Sequence, residues 1–540
     1  MITIPVERTQ GDRAASRPVI ECFEPATRVR LGSVPIDSAA DVSEAVARAR
    51  VAQATWKTST FAQRRRVLTR VLVHVLDHKD ELCELIVRAS GKTRENALLG
   101  EIWPVAEKLR WTIAEGERHL RPERVSPGLL VHKRASIEYR PRGVIGAIVP
   151  WNYPLQNVLN AVIAALMSGN GCVVKASEWV AWPSARFQRI VHEALAAEGF
   201  APDLVRVLNG HAETGQALTR AGVDAMIFIG SVANGRRVLE ACAPALIPVI
   251  LELGGKDPFV VCEDADLEQA AHAAMSGCFI NCGQNCVASE RLLVFDGIYD
   301  VFAARVTELT RALRQGASPP LGNHVVDVGA MVTPLQRQIV ERLVADAVQR
   351  GARVLVGGTS VLAAQGEYFA PTILADVTPD MAIMQEETFG PVMLLCRVHS
   401  DAQAIEIANG TRFGLGASVM SRDARRARRI ADALEAGMTA INDYGGMTYM
   451  AQDLPFGGVK DSGFGRVNGR DGLRALTHAK AVLDDRLPMH RANRLYPVGE
   501  HDYARVGGII DLAYGPGVRR KLRALLELVK QVARPRAGTP

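Results

Sequence analysis

Residues 144–175 read VIGAIVPWNYPLQNVLNAVIAALMSGNGCVVK. The apolar run Val144–Val149 stops at Pro150, apolar residues then recur at helical spacing over Leu155–Met167, and a second apolar run covers Cys172–Lys175. Two short buried strands joined by a helix form a βαβ unit, whose strands lie parallel in one sheet. This stretch therefore predicts an α/β fold.

The alternation of strand and helix continues along the chain. The same patterns predict one more helix and three more strands, at Ser184–Ala197, Leu204–Leu208, Ala225–Ile229 and Val249–Leu253. Ligands of such sheets bind at the carboxyl ends of the strands. The polar residues at these ends are therefore candidate site residues: Asn152, Lys175, Ser231 and Glu252.

A second α/β region is predicted between residues 254 and 446. Its strands are expected at Pro258–Val261, Arg291–Phe295 and Val392–Arg397. Its helices are expected at Leu267–Ile280, Tyr299–Leu313, Pro334–Gln349 and Ala424–Leu434. Helices are also predicted at Ala40–Thr55 and Ala62–Asp77, and the polar–apolar alternation of Leu129–Arg142 predicts strands outside the first domain.

The bulk properties are those of a globular protein with several domains. The chain has 540 residues, of which 48% are hydrophobic and 23% charged, and one compact core does not accommodate that length. Residues 1–8 lack the apolar core of a signal peptide, and polar residues interrupt the longest apolar stretch. The nine cysteines follow no framework spacing, which indicates reduced thiols in the cytoplasm. We expect no metal site.

The net charge of +6 is concentrated near the end of the sequence. Residues 491–540 hold ten Lys/Arg and four Asp/Glu, and ten minus four accounts for the whole excess. A nucleic-acid enzyme carries its excess across the working face, so we expect no nucleic-acid partner. Six apolar residues fall on one face of a basic helix: Val518, Leu522, Leu525, Leu526, Val529 and Val532. This face could dock on its own or a neighbouring subunit, or make weak contact with an anionic membrane.

Two residues point to covalent chemistry. Cys286 ends the segment 279–286, and Glu252 lies shortly upstream in the glycine-flanked segment 251–256. A thiol attacks a carbonyl carbon, and a carboxylate takes a proton from the thiol or from water. Glu252 could instead belong to a buried structural ion pair.

Cys286 also has a structural alternative. Cys278, Cys282 and Cys286 recur at four-residue spacing, as small apolar residues of a helix do. Zinc is a further alternative, although three cysteines on one helix are poorly spaced for it. Gly283 breaks the helix before Cys286, so we predict that Cys286 lies on a turn with an exposed thiolate.

Three further motifs follow predicted strands. Asn152 could donate its amide N–H to an oxyanion, or simply form a turn. Lys175 and Glu178 could hold a ribose, in which case the carboxylate favours NAD over NADP, or they could form a surface ion pair. The segment 228–235 combines a strand, a glycine turn and a helix start, which suits either a pyrophosphate or an ordinary helix cap.

Two glycine-containing loops lie later in the chain. In residues 385–392, Glu387 could hold a ribose and Phe389 could pack on a flat ring. Residues 455–466 could shape a substrate entrance. Either loop could also be a tight turn without a functional role.

Taken together and in order, these motifs resemble the signatures of the NAD(P)-dependent aldehyde dehydrogenase superfamily, from about residue 30 to about residue 485. The resemblance implies that Cys286 is the nucleophile, Glu252 the general base and Asn152 an oxyanion donor. It implies the following cofactor contacts: Trp151, Lys175, Glu178, Gly230, Ser231, Gly235, Leu253, Glu387 and Phe389.

The resemblance also implies an architecture. This is an α/β fold with a Rossmann-like cofactor domain (residues 1–128 and 143–253) and a second α/β catalytic domain (254–446). A β-strand oligomerisation flap (129–142 and 470–490) is followed by a basic amphipathic extension (491–540). A homodimer or homotetramer is expected.

The implied reaction is NAD-dependent oxidation of an aldehyde to a carboxylic acid through a cysteine thiohemiacetal and thioester. NADP is the alternative cofactor, which Glu178 disfavours. Alternatives for the activity are a CoA-acylating dehydrogenase, whose relatives generally lack the base, and a non-catalytic scaffold of the same fold. Val467 follows Arg466 where an acid is common, and the pocket wall is expected to include Trp103, Trp111, Asn157 and residues 444–450.

Overall fold

The computed structural model describes residues 17–360, 365–486 and 496–533. The chain divides into two compact units. The first comprises Met1–Glu123 and Ser136–Val482, and the second comprises Arg124–Ala135 and Leu483–Pro540. Both large sheets lie in the first unit.

The strands of the described residues are β1 Val19–Phe23, β2 Arg30–Pro35, β3 Glu123–Val125, β4 Lys133–Pro141, β5 Val144–Ile148, β6 Gly171–Lys175, β7 Val205–Leu208, β8 Ala225–Gly230, β9 Val249–Leu253, β10 Pro258–Val261, β11 Arg291–Phe295, β12 Arg353–Val356, β13 Thr372–Ala375, β14 Val392–Val398, β15 Gly416–Met420, β16 Met438–Ile441, β17 Gly463–Phe464 and β18 Thr477–Asp485.

The helices are α1 Ala39–Trp56, α2 Phe61–Asp77, α3 Lys79–Ser90, α4 Arg94–Ala97, α5 Trp103–Leu120, α6 Pro154–Met167, α7 Ser184–Ala197, α8 Ala212–Arg220, α9 Val232–Cys242, α10 Leu267–Phe279, α11 Asp296–Arg311, α12 Pro334–Gln349, α13 Ala382–Gln385, α14 Asp401–Asn409, α15 Ala424–Ala433, α16 Gly469–Ala475, α17 Asp502–Tyr514 and α18 Val518–Ala533.

The first large sheet has six strands in the order β17-β9-β8-β5-β6-β7. All neighbours are parallel except β17, which pairs antiparallel with β9. Counting its five parallel strands along the chain, the order is third, second, first, fourth, fifth. This is the doubly wound order of dinucleotide-binding sheets, in which the strand order reverses between β5 and β8. The predicted Rossmann-like fold is confirmed.

The second large sheet has seven strands in the order β12-β13-β14-β11-β10-β15-β16. Its neighbours are parallel except β12, which pairs antiparallel with β13. The predicted two-part α/β architecture is therefore confirmed. β11, which lies in the middle of this sheet, is buried at all five positions, as expected for a strand covered on both faces.

The first βαβ unit, formed by β5, α6 and β6, is buried at nearly every position. Helix α6 is buried at every position, because it packs on β6 and is itself covered by α2 and α5. Its predominantly apolar composition would be unfavourable on a surface helix. Asn170, just before β6, donates from Nδ2 to the carbonyl of Leu476 and accepts from the N–H of Gly143, so the polar end of the unit is satisfied.

The remaining strands form two small sheets. β1 pairs with β2, and β18, β4 and β3 form a three-stranded sheet in that order. β4 lies within the predicted segment 129–142. In the second unit α17 packs on α18, with Gly508 against Leu528.

Helix α18 matches the amphipathic helix expected from the sequence. Five of its apolar side chains are exposed: Val518, Leu522, Leu525, Leu526 and Val529. The side chain of Val532 lies outside the described residues. None of the helices in the described part of the chain combines the length and the hydrophobicity that a membrane crossing requires.

Candidate active site

A cavity of about 1380 Å³ lies in the first unit where the strands of the six-stranded sheet end. Its wall includes Val149 after β5, Lys175 of β6, Gly230 of β8 and Leu253 of β9. The reversal of strand order between β5 and β8 opens the crevice in which such sheets bind ligands.

The cavity is lined by all of the predicted site residues except Gly235: Cys286, Glu252, Asn152, Trp151, Lys175, Glu178, Gly230, Ser231, Leu253, Glu387 and Phe389. A Cβ on Gly235 would lie 2.6 Å from Cδ2 of Leu253. Gly235 therefore allows α9 to approach β9 and does not line the cavity.

Of the expected pocket walls, Trp103, Asn157 and several residues of 444–450 line the cavity. Trp111 does not. Its indole Nε1 donates to Oδ1 of Asp453 at 2.8 Å, so it braces α5 against the segment before the glycine-rich loop.

A strained turn presents Cys286 to the cavity. After α10, Asn281, Cys282 and Gly283 have φ values of 53°, 57° and 70°. A Cβ on Gly283 would lie 2.1 Å from the carbonyl oxygen of Gly390, so only glycine fits there. The turn leaves Cys278 and Cys282 in the core, at 2% and 1% exposure, and leaves Cys286 half-buried.

Glu252 lies beside this thiol. Its side chain is 3% exposed, and its Oε1 has no hydrogen-bond partner among the described residues. Burial raises the pKa of Glu252 to about 7, although its interaction with the neighbouring Cys286 opposes the shift. No described Lys, Arg or His pairs with Glu252, so it does not belong to a structural ion pair.

The resting state of Cys286 differs from the sequence-based expectation. Burial, followed by the charges of Glu252, Asp257 and Glu387, raises the pKa of the thiol well above its ordinary value. The sequence predicted a thiolate because the turn exposes the sulfur. Burial, reinforced by the surrounding carboxyls, instead favours the protonated thiol, whose proton a base must remove.

Asn152 points its amide nitrogen toward the Cys286 turn. Its Oδ1 accepts from Nδ2 of Asn157 at 3.2 Å, which orients its own Nδ2 the other way. That nitrogen donates to the carbonyl of Gln284 at 3.3 Å, and one N–H remains for a ligand. The backbone N–H of Cys286 makes no hydrogen bond within the described part of the chain, so two donors lie near the sulfur.

A buried ion pair supports Asn152 from behind. Nζ of Lys92 donates to the carbonyl of Asn152 at 2.8 Å and lies 2.7 Å from Oε1 of Glu101. Both charged side chains are 0% exposed. The other oxygen of Glu101 accepts from the first N–H groups of α6, at Leu155 and Gln156, where the helix dipole favours a negative charge.

A π-helical turn at Leu98–Ile102 places Glu101 in this position. Such turns are rare and often lie at functional sites. Gly100, in the same turn, makes room for the ring of Tyr153, to which an added Cβ would come within 2.7 Å. Sequence analysis missed Lys92 and Glu101. An acid inside the otherwise uncharged stretch 98–104 was the available signal.

The other end of the cavity carries the predicted ribose and pyrophosphate groups. Nζ of Lys175 lies 3.2 Å from Oε2 of Glu178. Burial opposes ionisation of both, yet the pKa of Glu178 is lowered because Lys175, a backbone hydrogen bond and His211 together outweigh burial. Ser231 caps α9 by accepting from the N–H of Asn234, and the first turn of α9 faces the cavity.

A slot between α8 and α9 extends this end and was not predicted. Its walls are Gly215 and Thr219 on α8, and Val238 and Ala241 on α9. Small and apolar residues at these positions leave room for a flat ring between the helices. Only the spacing of small residues on two helices could have revealed this slot before their packing was known.

Glu387 and Phe389 are held between the two ends. Nζ of Lys256 forms a buried ion pair with Glu290, whose carboxylate accepts from the N–H groups of Thr388 and Phe389. Oε1 of Glu387 accepts from the N–H of Gly255 at 3.1 Å. Burial, together with the charge of Glu290, raises the pKa of Glu387 to about 8.

The loop 455–466 is anchored without the acid that commonly follows its arginine. Nζ of Lys108, on α5, donates to the carbonyl of Val467 at 3.0 Å and to Oδ1 of Asn468 at 2.7 Å. Oγ of Ser462 donates to the carbonyl of Gly254 at 2.7 Å. These bonds tie the loop to α5 and to the segment after β9.

Comparison with known proteins agrees with this geometry. The model of the aldehyde dehydrogenase family matches residues 12–482. The chain belongs to the aldehyde dehydrogenase family. It is thus related to enzymes that oxidise aldehydes with NAD or NADP.

Individual members of the aldehyde dehydrogenase family match over most of their length. An aldehyde dehydrogenase-like protein of Schizosaccharomyces pombe is 39% identical over 472 residues, which are 86% of this chain and 90% of that protein. The NADP-dependent succinate-semialdehyde dehydrogenase of Escherichia coli strain K12 is 35% identical over 456 residues, which are 84% of this chain and 92% of that protein. The solved NAD-dependent aldehyde dehydrogenase of Sinorhizobium meliloti superposes with a TM-score of 0.83 at 32% identity, covering 90% of this chain and 95% of that one.

Proposed function

We propose that this protein oxidises an aldehyde to a carboxylic acid with NAD, through a thiohemiacetal and a thioester on Cys286. The observation that carries the proposal is that Cys286 and the buried carboxyl of Glu252 line the same cavity, which continues to Lys175 and Ser231. A nucleophile, a base and a dinucleotide-sized crevice meet there.

In the first half-reaction, Glu252 takes the proton of the Cys286 thiol as the sulfur forms a bond to the aldehyde carbon. The carbonyl oxygen becomes an oxyanion, to which Nδ2 of Asn152 and the N–H of Cys286 donate. NAD, when bound, supplies the acceptor for the hydride that leaves this carbon. Cys286 then holds the acyl group as a thioester.

In the second half-reaction, Glu252 first releases the thiol proton to solvent. Its carboxylate then takes a proton from water, the hydroxide adds to the thioester carbonyl, and the carbon–sulfur bond breaks. The products are the acid and a regenerated thiol. The presence of Glu252 supports hydrolysis over transfer to CoA, because relatives that release acyl-CoA generally lack this base.

The residues at the far end of the cavity fit NAD. Glu178 and Lys175 would hold the adenosine ribose, the first turn of α9 would hold the pyrophosphate, and Glu387 with Phe389 would hold the nicotinamide end. The slot between α8 and α9 has the small apolar walls that an adenine ring needs. Trp151 packs edge-on against Phe389, with ring centroids 5.4 Å apart, and braces that residue.

The proposal is tested by mixing the protein with NAD and a panel of aldehydes. We expect NADH absorbance to rise with one equivalent of acid formed per NADH, and no product thioester when CoA is added. A folded protein that forms no NADH with any aldehyde would instead be a scaffold that keeps the fold.

We also propose the domain assignment given by the resemblance, with β4 and β18 as the oligomerisation flap of a homodimer or homotetramer. Light scattering of the purified chain measures this state, and a monomer at micromolar concentration would contradict it. All nine cysteines are free, which supports a cytoplasmic location.

The charge of Glu178 is expected to set the cofactor preference. Glu178→Gln should raise the NADP-to-NAD ratio of kcat/KM about 100-fold, because a neutral amide removes the repulsion of the 2′-phosphate and weakens the bond to the ribose of NAD. Because glutamine has nearly the same size as glutamate, the substitution tests the effect of the charge alone. An unchanged ratio would contradict the placement of the ribose at Glu178.

The ion pair behind Asn152 is expected to support turnover. Glu101→Gln should lower kcat about 10- to 100-fold with little change in KM, because Lys92 no longer holds the Asn152 backbone in place. It should also destabilise the fold by about 3 kcal/mol, since it leaves a buried charge unpaired.

Two controls accompany Glu101→Gln. Asn152→Ala removes the oxyanion donor itself, so its loss of about 10²–10³-fold in kcat is the largest that Glu101→Gln is expected to reach. Glu107→Gln alters a surface ion pair with Arg110 on the same helix and should change neither kcat nor stability. Wild-type kcat in folded Glu101→Gln protein would show that the pair is only structural.

A further inference from the structure

The charges around the cavity are unevenly distributed. The four cations among its described lining residues are Lys175, Arg237, Arg342 and Arg412. Lys175 pairs with Glu178, and Arg237 lies on α9. These two belong to the dinucleotide end.

The other two cations are also engaged away from the sulfur. Arg342 pairs with Glu386 at 2.9 Å, next to the residue proposed to hold the nicotinamide ribose. Arg412 stacks over Phe413 at 4.9 Å, and Phe413 packs in the same core cluster as the α9 residues Val232 and Val238. No cation among the described lining residues therefore lies at the Cys286 end.

The three charged groups with the largest effect on Cys286 are acidic: Glu252, Asp257 and Glu387. If these carboxyls are ionised, they repel an anionic group bound beside the sulfur. If they are protonated, the cavity still offers no counter-charge. Burying a carboxylate without a cation is strongly unfavourable in either case.

The entrance next to the sulfur is apolar. Leu99, from the π-helical turn, and Trp103, at the start of α5, line the cavity and are 49% and 54% exposed. Met447, on the opposite segment, lines it and is 37% exposed. Deeper in, Tyr449 packs edge-on against Phe456 at 5.0 Å. Large apolar side chains exposed at a cavity mouth mark a surface that an apolar ligand covers.

We propose that the substrate is an uncharged aldehyde with an extended apolar chain, which lies along Leu99, Trp103 and Met447, and that aldehydes with a terminal carboxylate are rejected. This proposal rests on the proposed function and adds the substrate class. It sets the chain apart from relatives that act on succinate semialdehyde.

The test uses the full-length protein with NAD and two matched sets of aldehydes. From propanal to decanal, kcat/KM should rise about twofold per methylene, roughly 100-fold in all, because the half-exposed entrance covers each added group only in part. Methyl 4-oxobutanoate should exceed succinate semialdehyde at least about 100-fold, since the two differ mainly in the carboxylate charge.

Two variants test which part of the cavity produces the preference for long aldehydes. Trp103→Ala should lower kcat/KM for decanal about tenfold and leave propanal within about twofold. Trp179→Ala, a half-exposed tryptophan at the dinucleotide end of the same cavity, should leave the decanal-to-propanal ratio unchanged. A flat chain-length series, or succinate semialdehyde matching its ester, would overturn the substrate assignment while leaving the proposed oxidation intact. Failure with every aldehyde would overturn the proposed function.

Discussion

Cys286→Ala protein should fold normally and form NADH from aldehydes at least about 10⁴-fold more slowly than the wild-type protein. The reason is that both half-reactions pass through a bond to this sulfur, and an enzyme that loses its nucleophile keeps only the contribution of binding and oxyanion donors. The measurement is the rate of NADH formation at saturating NAD and aldehyde.

Cys282→Ala is the matched control for this prediction. Cys282 lies on the same turn, is 1% exposed and packs in the core of the seven-stranded sheet. Its replacement should lower stability by about 1 kcal/mol and leave the rate within a few fold. Equal losses in the two variants would mean that the turn matters only for folding.

Glu252→Gln should separate the two half-reactions. We expect a rapid burst of NADH, close to one equivalent per site, followed by turnover slowed about 10³-fold. The burst survives because removing the carboxylate of Glu252 eliminates a charge that raises the pKa of the Cys286 thiol, so the thiol loses its proton to solvent without this base. Hydrolysis of the thioester has no comparable compensation.

The pKa of Glu252 also sets the pH dependence of the wild-type protein. With a pKa raised to about 7, the carboxyl is protonated and inactive as a base below that pH, and it is ionised above. Turnover should therefore rise through about pH 7 and level off, whereas the Glu252→Gln variant should show no such step. Turnover that falls as the pH rises from 6 to 8 would contradict the assignment of Glu252 as the base.

Much of the fold could be predicted because its central strands are short apolar runs that are recognisable in the sequence. β10, β11 and the helix α12 were predicted with the bounds observed, since buried parallel strands read as short apolar runs and α12 begins at a proline. β12 and β13 were not predicted. They pair antiparallel at the edge of the sheet, and each contains a run of only three apolar residues, which is too short to indicate a strand.

The catalytic candidates could be named from sequence because thiol, carboxylate and amide occur in ordered motifs beside glycines. The residues that hold these candidates in place could not be named from the sequence in the same way. Lys92, Glu101 and Lys108 reach the site through contacts with residues distant in sequence. The uncharged surroundings of Glu101 were the available local signal, and nothing local distinguishes Lys92 and Lys108 from surface charges. The raised pKa of the Cys286 thiol likewise depends on burial and on three carboxyls that only the folded chain brings together.

The most direct test of the account is to trap the acyl group. Glu252→Gln protein is mixed with NAD and an apolar aldehyde, quenched after the burst, digested and analysed by mass spectrometry. The account predicts one acyl group per chain, attached to the sulfur of Cys286. An equivalent of NADH formed with no acyl group on the protein, or with the acyl group on another residue, would contradict it.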